Sequence, residues 1–188
     1  MQTLFTIILA SLLTAACTQN QWVKPDTASY YYLPPVGTLV ELKRPLTIPP
    51  GRARVFLQGD RVGQGYDQYE PNCNFEIRTL SEQPQVISPE SFLVTKLQRV
   101  TEEVVLLDEP MRVAGIELAG LYGDMGSTMI TRGVHLWFGS DTQPDVMRLT
   151  CRGGFDEPWR AQPPSIDEMR MAVAAYARII LPQEAMAH

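Results

Sequence analysis

Cysteine is the residue type with the clearest chemistry in this 188-residue chain. Cys73 shares alternate positions with Phe75 and Ile77, and Cys151 shares its alternate positions with Leu149. Because side chains alternate between the two faces of a strand, both cysteines are expected to point into a core. We therefore predict a Cys73–Cys151 disulfide, which would close a loop of about 80 residues and stabilise the fold by roughly 4 kcal/mol. The alternative is a pair of buried free thiols, which fits an oxidising compartment less well.

The third cysteine, Cys17, follows a short apolar segment. Residues 4–13 are almost all apolar, and Thr14, Ala15 and Ala16 come next. A membrane-spanning helix needs about 20 apolar residues, whereas the core of a signal peptide needs roughly 7–15 followed by small residues. The pattern resembles the lipobox of bacterial lipoproteins. The alternatives are an ordinary signal peptide cut after Ala16 and a segment that is not cleaved, and all three place the domain outside the reducing cytoplasm.

The lipobox resemblance implies a lipid anchor in the bacterial cell envelope. In such proteins the peptide is cut before the cysteine, and both the thiol and the new amine are acylated. Acylation of Cys17 would also account for the odd cysteine, since the other two are expected to pair. The next residue is Thr18 rather than aspartate, which by the same resemblance favours the outer membrane, facing the periplasm. The lipid is then the expected contact with the membrane.

Catalytic chemistry has little support in the sequence. The two histidines are His135 and His188. His135 alternates with Val134 and Leu136, which predicts a surface or edge position on the outer side of a strand, and His188 is the last residue. Neither belongs to a cluster with the three or four ligands that zinc needs. We expect no enzymatic activity, no metal and no cofactor; a cell-envelope hydrolase with two catalytic carboxylates is the least favoured alternative.

One loop is a candidate for contact with a ligand or a partner. Its residues Tyr66, Asp67, Tyr69 and Glu70 follow a glycine-rich turn. Aromatic rings and carboxylates together suit stacking on, and hydrogen bonding to, a sugar or a peptide. The alternative is a solvated connection between strands. A similar segment, 121–128, carries a single carboxylate, which falls short of a calcium site, so we expect a plain turn there.

Two arginines form a second candidate contact. Arg52 and Arg54 are expected on one face of a strand, opposite Ala53, Val55 and Leu57. Guanidinium groups bind phosphates and carboxylates. The alternative is that these arginines pair with acidic neighbours across the sheet, where such pairs contribute little to stability.

About eight strands are expected to position these residues. Alternation of apolar and polar residues recurs over 38–48, 52–58, 73–80, 92–100, 103–107, 113–118, 129–138 and 145–152. Segment 92–107 is either a long hairpin or one bent strand. Turn residues separate the segments at the spacing typical of a sandwich or a barrel. We predict a mainly β, antiparallel sandwich or barrel-like domain with one C-terminal α-helix packed on it.

The C-terminal helix is predicted over residues 165–181. Ser165 and Glu168 have the spacing of a capping box. Apolar residues then recur at helical spacing; they are Ile166, Met169, Val173, Tyr176 and Ile180. Pro182 is expected to end the helix, and Trp159 is expected to pin it to the sheet. A partner-binding helix is the alternative to packing in the core.

The chain is predicted to have three parts. These are a signal peptide (1–16), a lipidated cysteine with a tether (17–36) and a single domain (37–188). The three tyrosines at 30–32 are expected to dock on the domain as its first edge segment; the alternative is an exposed aromatic binding strip. The net charge of −5 and the absence of a basic run argue against nucleic-acid binding. We expect a non-enzymatic envelope lipoprotein with a protein-interaction or assembly role; the alternative is a periplasmic module that binds a small ligand.

Overall fold

The structure, a computed structural model, describes residues 25–63, 65–106, 112–113, 116–117 and 127–186. The predicted signal peptide, Cys17, most of the 121–128 loop and His188 lie outside these residues. The strands are β1 (Leu39–Leu42), β2 (Leu46–Ile48), β3 (Arg54–Gln58), β4 (Arg61–Gly63), β5 (Asn72–Ile77), β6 (Gln85–Ile87), β7 (Ser91–Leu106), β8 (Arg112–Val113), β9 (Ile116–Glu117), β10 (Ser127–Gly139), β11 (Val146–Arg152) and β12 (Ala177–Ile180). The helices are α1 (Ile166–Val173) and α2 (Pro182–Ala185).

Eight of the strands form one curled antiparallel sheet, a half-barrel. Their order is β12-β1-β7-β10-β11-β5-β3-β4, while β2 pairs with β6 and β8 with β9. The prediction of a mainly β domain with a C-terminal helix packed against the sheet is confirmed. The 92–107 segment is one long strand, β7, rather than a hairpin, and the register shifts between Trp137 and Phe138 where β7 pairs with β10.

The apolar core lies between one face of this sheet and helix α1. Alternate residues of β1, β3, β5, β10 and β11 supply the sheet side, as their alternating apolar pattern predicts. Met169, Ala172 and Val173 supply the helix side. The core includes Val40, Leu42, Val55, Leu57, Phe75, Phe92, Leu136, Phe138 and Leu149.

The predicted disulfide is present inside this core. Cys73 on β5 and Cys151 on β11 are direct cross-strand neighbours and are bonded to each other. Both are fully buried, so the expectation that they point inward is also confirmed. The bond therefore joins two strands that already pair, from parts of the chain 78 residues apart.

The predicted helix 165–181 is correct at its start and wrong at its end. Ser165 caps α1 with the expected capping box to Glu168. The helix ends at Val173, and residues from Ala177 form β12, which pairs with β1. The apolar residues of 174–181 fit both a helical period and the two-residue period of a strand. The segment forms a strand because it pairs with the edge of β1. Pro182 begins the short helix α2 instead of ending a long one.

Two further expectations concern aromatic residues near α1. Trp159 was predicted to pin the helix to the sheet, but it is 75 % exposed and does not. Tyr30 does contact the helix, since its hydroxyl donates a 3.4 Å hydrogen bond to Glu168, while Tyr31 is exposed. These tyrosines lie in a turn and not in an edge strand. None of the described helices is long and apolar enough to cross a membrane.

Candidate functional site

The sheet face opposite the apolar core carries polar side chains that are buried. Alternate residues of β5 and β11 point to this face and pair across the two strands. Its buried polar residues are Asn72, Asn74, Glu76, His135, Thr150 and Arg152. We call this surface the polar face. Burial of polar groups is costly unless they find hydrogen-bond partners, so their partners indicate what the surface can do.

Glu76 lies at the centre of the polar face. Its Oε1 accepts hydrogen bonds from Asn74 Nδ2 and Thr150 Oγ1, both at 2.8 Å. Its Oε2 accepts two from Arg148, at 3.0 Å from Nε and 2.6 Å from Nη2. Burial raises the pKa of Glu76, but these hydrogen bonds and the Arg148 charge outweigh it and hold the pKa below its ordinary value of 4.5. Glu76 is therefore ionised at neutral pH, and both of its oxygens are engaged.

His135 is linked to Glu76 through Thr150. The ring Nδ1 lies 2.8 Å from Thr150 Oγ1. Because Thr150 donates its single hydroxyl hydrogen to Glu76, its oxygen must accept the hydrogen bond that His135 Nδ1–H donates. Burial, and after it the Arg148 charge, lowers the pKa of His135 below 6.5. The ring is therefore neutral at pH 7, with its Nε2 unprotonated.

The expected surface or edge position of His135 is wrong. The side chain does lie on the side opposite Val134 and Leu136, but it is only 6 % exposed. The Trp137 ring packs against it edge to face, with 6.2 Å between centroids, and Thr150 holds it from the next strand. Alternation predicts which way a side chain points, whereas its burial depends on the size of its neighbours across the sheet.

Arg152 extends the network toward β7. Its Nη1 donates to Asn74 Oδ1 at 2.6 Å, and its Nη2 forms an ion pair with Glu102. Three buried polar atoms among the described residues have no hydrogen-bond partner: Asn72 Oδ1, Arg152 Nε and Trp137 Nε1. Asn72 and Arg152 are direct cross-strand neighbours, so an unpaired acceptor lies on the strand beside an unpaired donor.

A row of cations crosses the polar face around Trp137. Lys96 Nζ lies 5.6 Å and Arg148 Cζ 4.7 Å from the centroid of the Trp137 ring, within the range of cation–π attraction. Arg148 pairs with Glu76 across β11 and β5, and Glu76 pairs with Arg54 across β5 and β3. We call Lys96, Trp137, Arg148, Glu76 and Arg54 the cationic row. It holds three cations and one carboxylate on a chain whose net charge is −5.

The two candidate arginines are separated by the structure. Arg54 belongs to β3 and lies opposite Glu76, which brings it into the cationic row. Arg52 precedes the strand, in a turn where its N–H donates to the Pro49 carbonyl at 3.2 Å. The expectation of two arginines on one strand is therefore wrong for Arg52, because β3 begins only at Arg54.

The candidate loop is held against β3. The Gln58 side chain donates to the Asp67 carbonyl at 3.0 Å and accepts from the Asp67 N–H at 2.8 Å. Tyr66 stacks on Phe56 with 4.2 Å between ring centroids. Asp67 Oδ1 accepts the Tyr69 N–H at 2.9 Å, which closes a local turn. The loop is therefore ordered by specific contacts rather than only solvated.

Asp67 and Glu70 line an open cavity of about 440 Å³ between this loop and α1. Glu168 and Arg61 also line it, so carboxylates outnumber cations. Tyr66 does not line this cavity, and Tyr69 lines a separate one of about 180 Å³. The four loop residues predicted to act together thus face different places.

The residues of the polar face were not predicted as a site from the sequence. The sequence feature that could have indicated them is the set of polar residues that alternate with Cys73 in segment 72–76 and with Cys151 in segment 148–152. Within the described residues, no group of three or more His, Cys, Asp or Glu side chains could hold a metal ion. The chain matches no family model, no curated protein and no solved structure among those compared.

Proposed function

We propose that this protein is a lipid-anchored envelope lipoprotein whose β domain binds another envelope protein without catalysing a reaction. The Cys73–Cys151 disulfide carries the anchoring part of the proposal. It engages two of the three cysteines and leaves Cys17, in its lipobox-like context, as the thiol for acylation. A disulfide is also typical of proteins outside the cytoplasm. We place the anchor in the outer membrane, with the domain facing the periplasm.

The polar face supports the binding part of the proposal. Tryptophan and arginine are enriched among residues that dominate binding energy, and Trp137 and Arg148 lie side by side here. Because Glu76 already holds the Arg148 side chain in place, little conformational entropy would be lost in ordering that side chain when a partner binds. Because the cationic row is locally positive, the partner is expected to present an acidic segment.

The same contacts favour binding over catalysis. A general base must offer a free lone pair to its substrate. Both Glu76 oxygens accept hydrogen bonds from within the chain. His135 keeps a lone pair on Nε2, but the residue is only 6 % exposed, which restricts the access of a substrate to it. Such an internally paired network is suited to presenting a rigid charged surface.

The first test is the intact mass of the mature protein from native membranes, measured without reductant. We expect a chain beginning at Cys17, with acyl groups added and two hydrogens missing for the Cys73–Cys151 bond. A Cys17→Ser variant should leave the membrane fraction. An unlipidated mass, or a variant that stays in the membrane, would contradict the anchor.

The second test maps the partner contact on the polar face. A photo-crosslinking residue at Gln98, exposed and paired with His135 across β7 and β10, should capture one protein other than a second copy of this chain in the native envelope. Lys96→Glu should reduce that adduct, since it reverses one charge of the cationic row. The control is the same probe at Met171, which is 63 % exposed on α1. Equal adducts at Gln98 and Met171, or no effect of Lys96→Glu, would count against the polar face.

A small-ligand-binding role is the second candidate, and the 440 Å³ cavity favours it. Its volume lies in the range of ligand sites, and its excess of carboxylates suits a small cationic ligand. Titration with 1,4-diaminobutane should perturb the amide signals of 67–70, and a double Asp67→Asn, Glu70→Gln variant should abolish the effect. If the diamine leaves those signals unchanged, this candidate is excluded.

A further inference from the structure

We propose that two copies of this chain pair along the outer edges of their β7 strands. The two strands run antiparallel, and Thr101 of one copy lies opposite Thr101 of the other. The proposal is independent of the partner bound by the polar face. It starts from the backbone of β7, the longest strand of the sheet at 16 residues. An unpaired strand edge presents a row of N–H and C=O groups that another strand can bind.

Within the described part of the chain, no strand other than β1 pairs with the outer edge of β7, although Tyr30 and Tyr31 share a cavity with Arg99, Val100 and Thr101. β1 covers only its beginning, where Leu39 to Glu41 pair with Ser91 to Leu93. Two further hydrogen bonds, Gly37 N to the Val94 carbonyl and Val94 N to the Thr38 carbonyl, end the contact. From residue 96 to 104 this edge therefore has no strand partner among the described residues, a stretch long enough for a ladder of seven or more residues.

The charges along this open edge are arranged in a fixed order. Lys96 and Arg99 come first, and Glu102 and Glu103 follow. Two identical strands in antiparallel arrangement place the basic half of each opposite the acidic half of the other. Charges on an edge prevent indiscriminate pairing, and this order permits pairing of one strand with its own copy.

The charges also select the register. If the sheet continues across the two copies, residues that pair must lie on the same face of it. The two-fold axis that relates the copies therefore passes through a residue and not between two residues. An axis at Arg99 or at Glu102 would put like charges opposite each other, which is destabilising. An axis at Val100 forms no ion pair between Arg99 and Glu103. An axis at Thr101 brings Arg99 of each copy opposite Glu103 of the other.

Arg99 and Glu103 are free to make these contacts. Both side chains are exposed, and neither forms an ion pair with another described residue. Glu102, by contrast, is already paired with Arg152 on the polar face. The two reciprocal Arg99–Glu103 pairs, together with the backbone ladder from 98 to 104, define the proposed interface.

The direct test is a cysteine placed on the proposed axis. In the full-length chain in native membranes, Thr101→Cys should give a disulfide-linked dimer on mild oxidation, since residues opposite each other lie within disulfide range. Gln98→Cys is the matched control. It is also exposed but would lie about 20 Å from its own copy in this register, six residues along the ladder at roughly 3.4 Å each. The unsubstituted chain controls for the native cysteines.

The second test reverses charges without adding cysteines. Arg99→Glu and Glu103→Arg should each weaken the detergent-solubilised dimer about tenfold or more, because two attractive pairs become two repulsive ones. The double variant restores both pairs with their signs exchanged, so dimerisation should recover. Association is measured by sedimentation, and circular dichroism verifies the fold of each variant.

The proposal fails under several defined outcomes. A monomer in sedimentation, no crosslink from Thr101→Cys, or crosslinking of Gln98→Cys to the same extent would each overturn it. Crosslinking of Thr101→Cys to a different protein would show that a partner strand occupies the edge instead. A double charge variant that stays as weak as the single variants would refute the register.

Discussion

At the residue scale, the polar face depends on Glu76, which satisfies four donor groups at once. Two come from the Arg148 guanidinium, one from Asn74 and one from Thr150. The guanidinium is partly accessible and the carboxylate is almost fully buried, with 19 % and 5 % of the side chains exposed. Removing the carboxylate charge would therefore leave Arg148 partly buried without its counter-ion, a situation more costly than losing the whole pair.

Glu76→Gln should destabilise the protein by about 2 kcal/mol at pH 7. The pKa of Glu76 is lowered by folding, so its contribution to stability is present above pH 4.5 and is lost as the pH falls through the folded-state pKa. The difference between the variant and the parent chain should shrink on acidification. Urea unfolding from pH 7 to pH 3 measures this, with the exposed Glu82→Gln as control. A difference that stays constant with pH would contradict the ion pair.

His135 should titrate below its ordinary pKa of 6.5, because burial and the Arg148 charge disfavour the imidazolium. Two-dimensional NMR should find the neutral ring with its proton on Nδ1. The unfolded chain binds this proton more readily, so stability should decrease as the pH falls through about 6.5 and approaches the folded-state pKa. His135→Gln should flatten that change. A titration at or above 6.5, or a proton on Nε2 of the neutral ring, would refute the hydrogen-bond chain through Thr150.

At the element scale, the apolar residues after α1 fit both the helical period and the two-residue period of a strand. Ala177 and Ile179 are buried and Arg178 points outward, the pattern of a strand. The Tyr176 carbonyl accepts the Lys43 N–H at 2.8 Å, which begins the pairing with β1. A helix through this region would have left the edge of β1 unpaired. The available edge, rather than local propensity, therefore determined where α1 ends.

The start of α1 depends on its cap, and Ser165→Ala should cost about 1 kcal/mol. The Ser165 hydroxyl accepts the Glu168 N–H, and the Glu168 carboxylate accepts the Ser165 N–H at 2.7 Å. Thermal or urea unfolding measures the loss. Trp159→Ala is the control, since this residue is 75 % exposed and should change stability by no more than about 0.5 kcal/mol. A larger effect at Trp159 than at Ser165 would reverse our assignment of what holds the helix in place.

At the scale of the whole molecule, the disulfide joins two adjacent strands that lie far apart in the chain. Replacing Cys73 and Cys151 together by alanine should lower stability by about 4 kcal/mol, since the bond closes a loop spanning 78 residues in the unfolded chain. Unfolding of the oxidised chain, the reduced chain and the double variant measures the effect. The reduced chain and the variant should behave alike. If reduction leaves the unfolding midpoint unchanged, the bond is absent or does not constrain the unfolded state.

Part of the polar face could have been predicted from the sequence. Once Cys73 and Cys151 are predicted to bond as neighbours in antiparallel strands, the register follows, and Asn74 falls opposite Thr150. What prevented the inference is that alternation gives the direction of a side chain but not how deeply its neighbours bury it.

The sequence by itself determined the class of fold, the inward direction and pairing of the two cysteines, and the capped start of α1. These follow from short-range rules: alternation along a strand, hydrogen bonding within one helical turn and the spacing of apolar residues. Only the tertiary structure decided the end of α1, the burial of His135 and the separation of Arg52 from Arg54. Each depends on which strand edge is free and which side chains meet across the sheet, and those contacts join residues far apart in the chain.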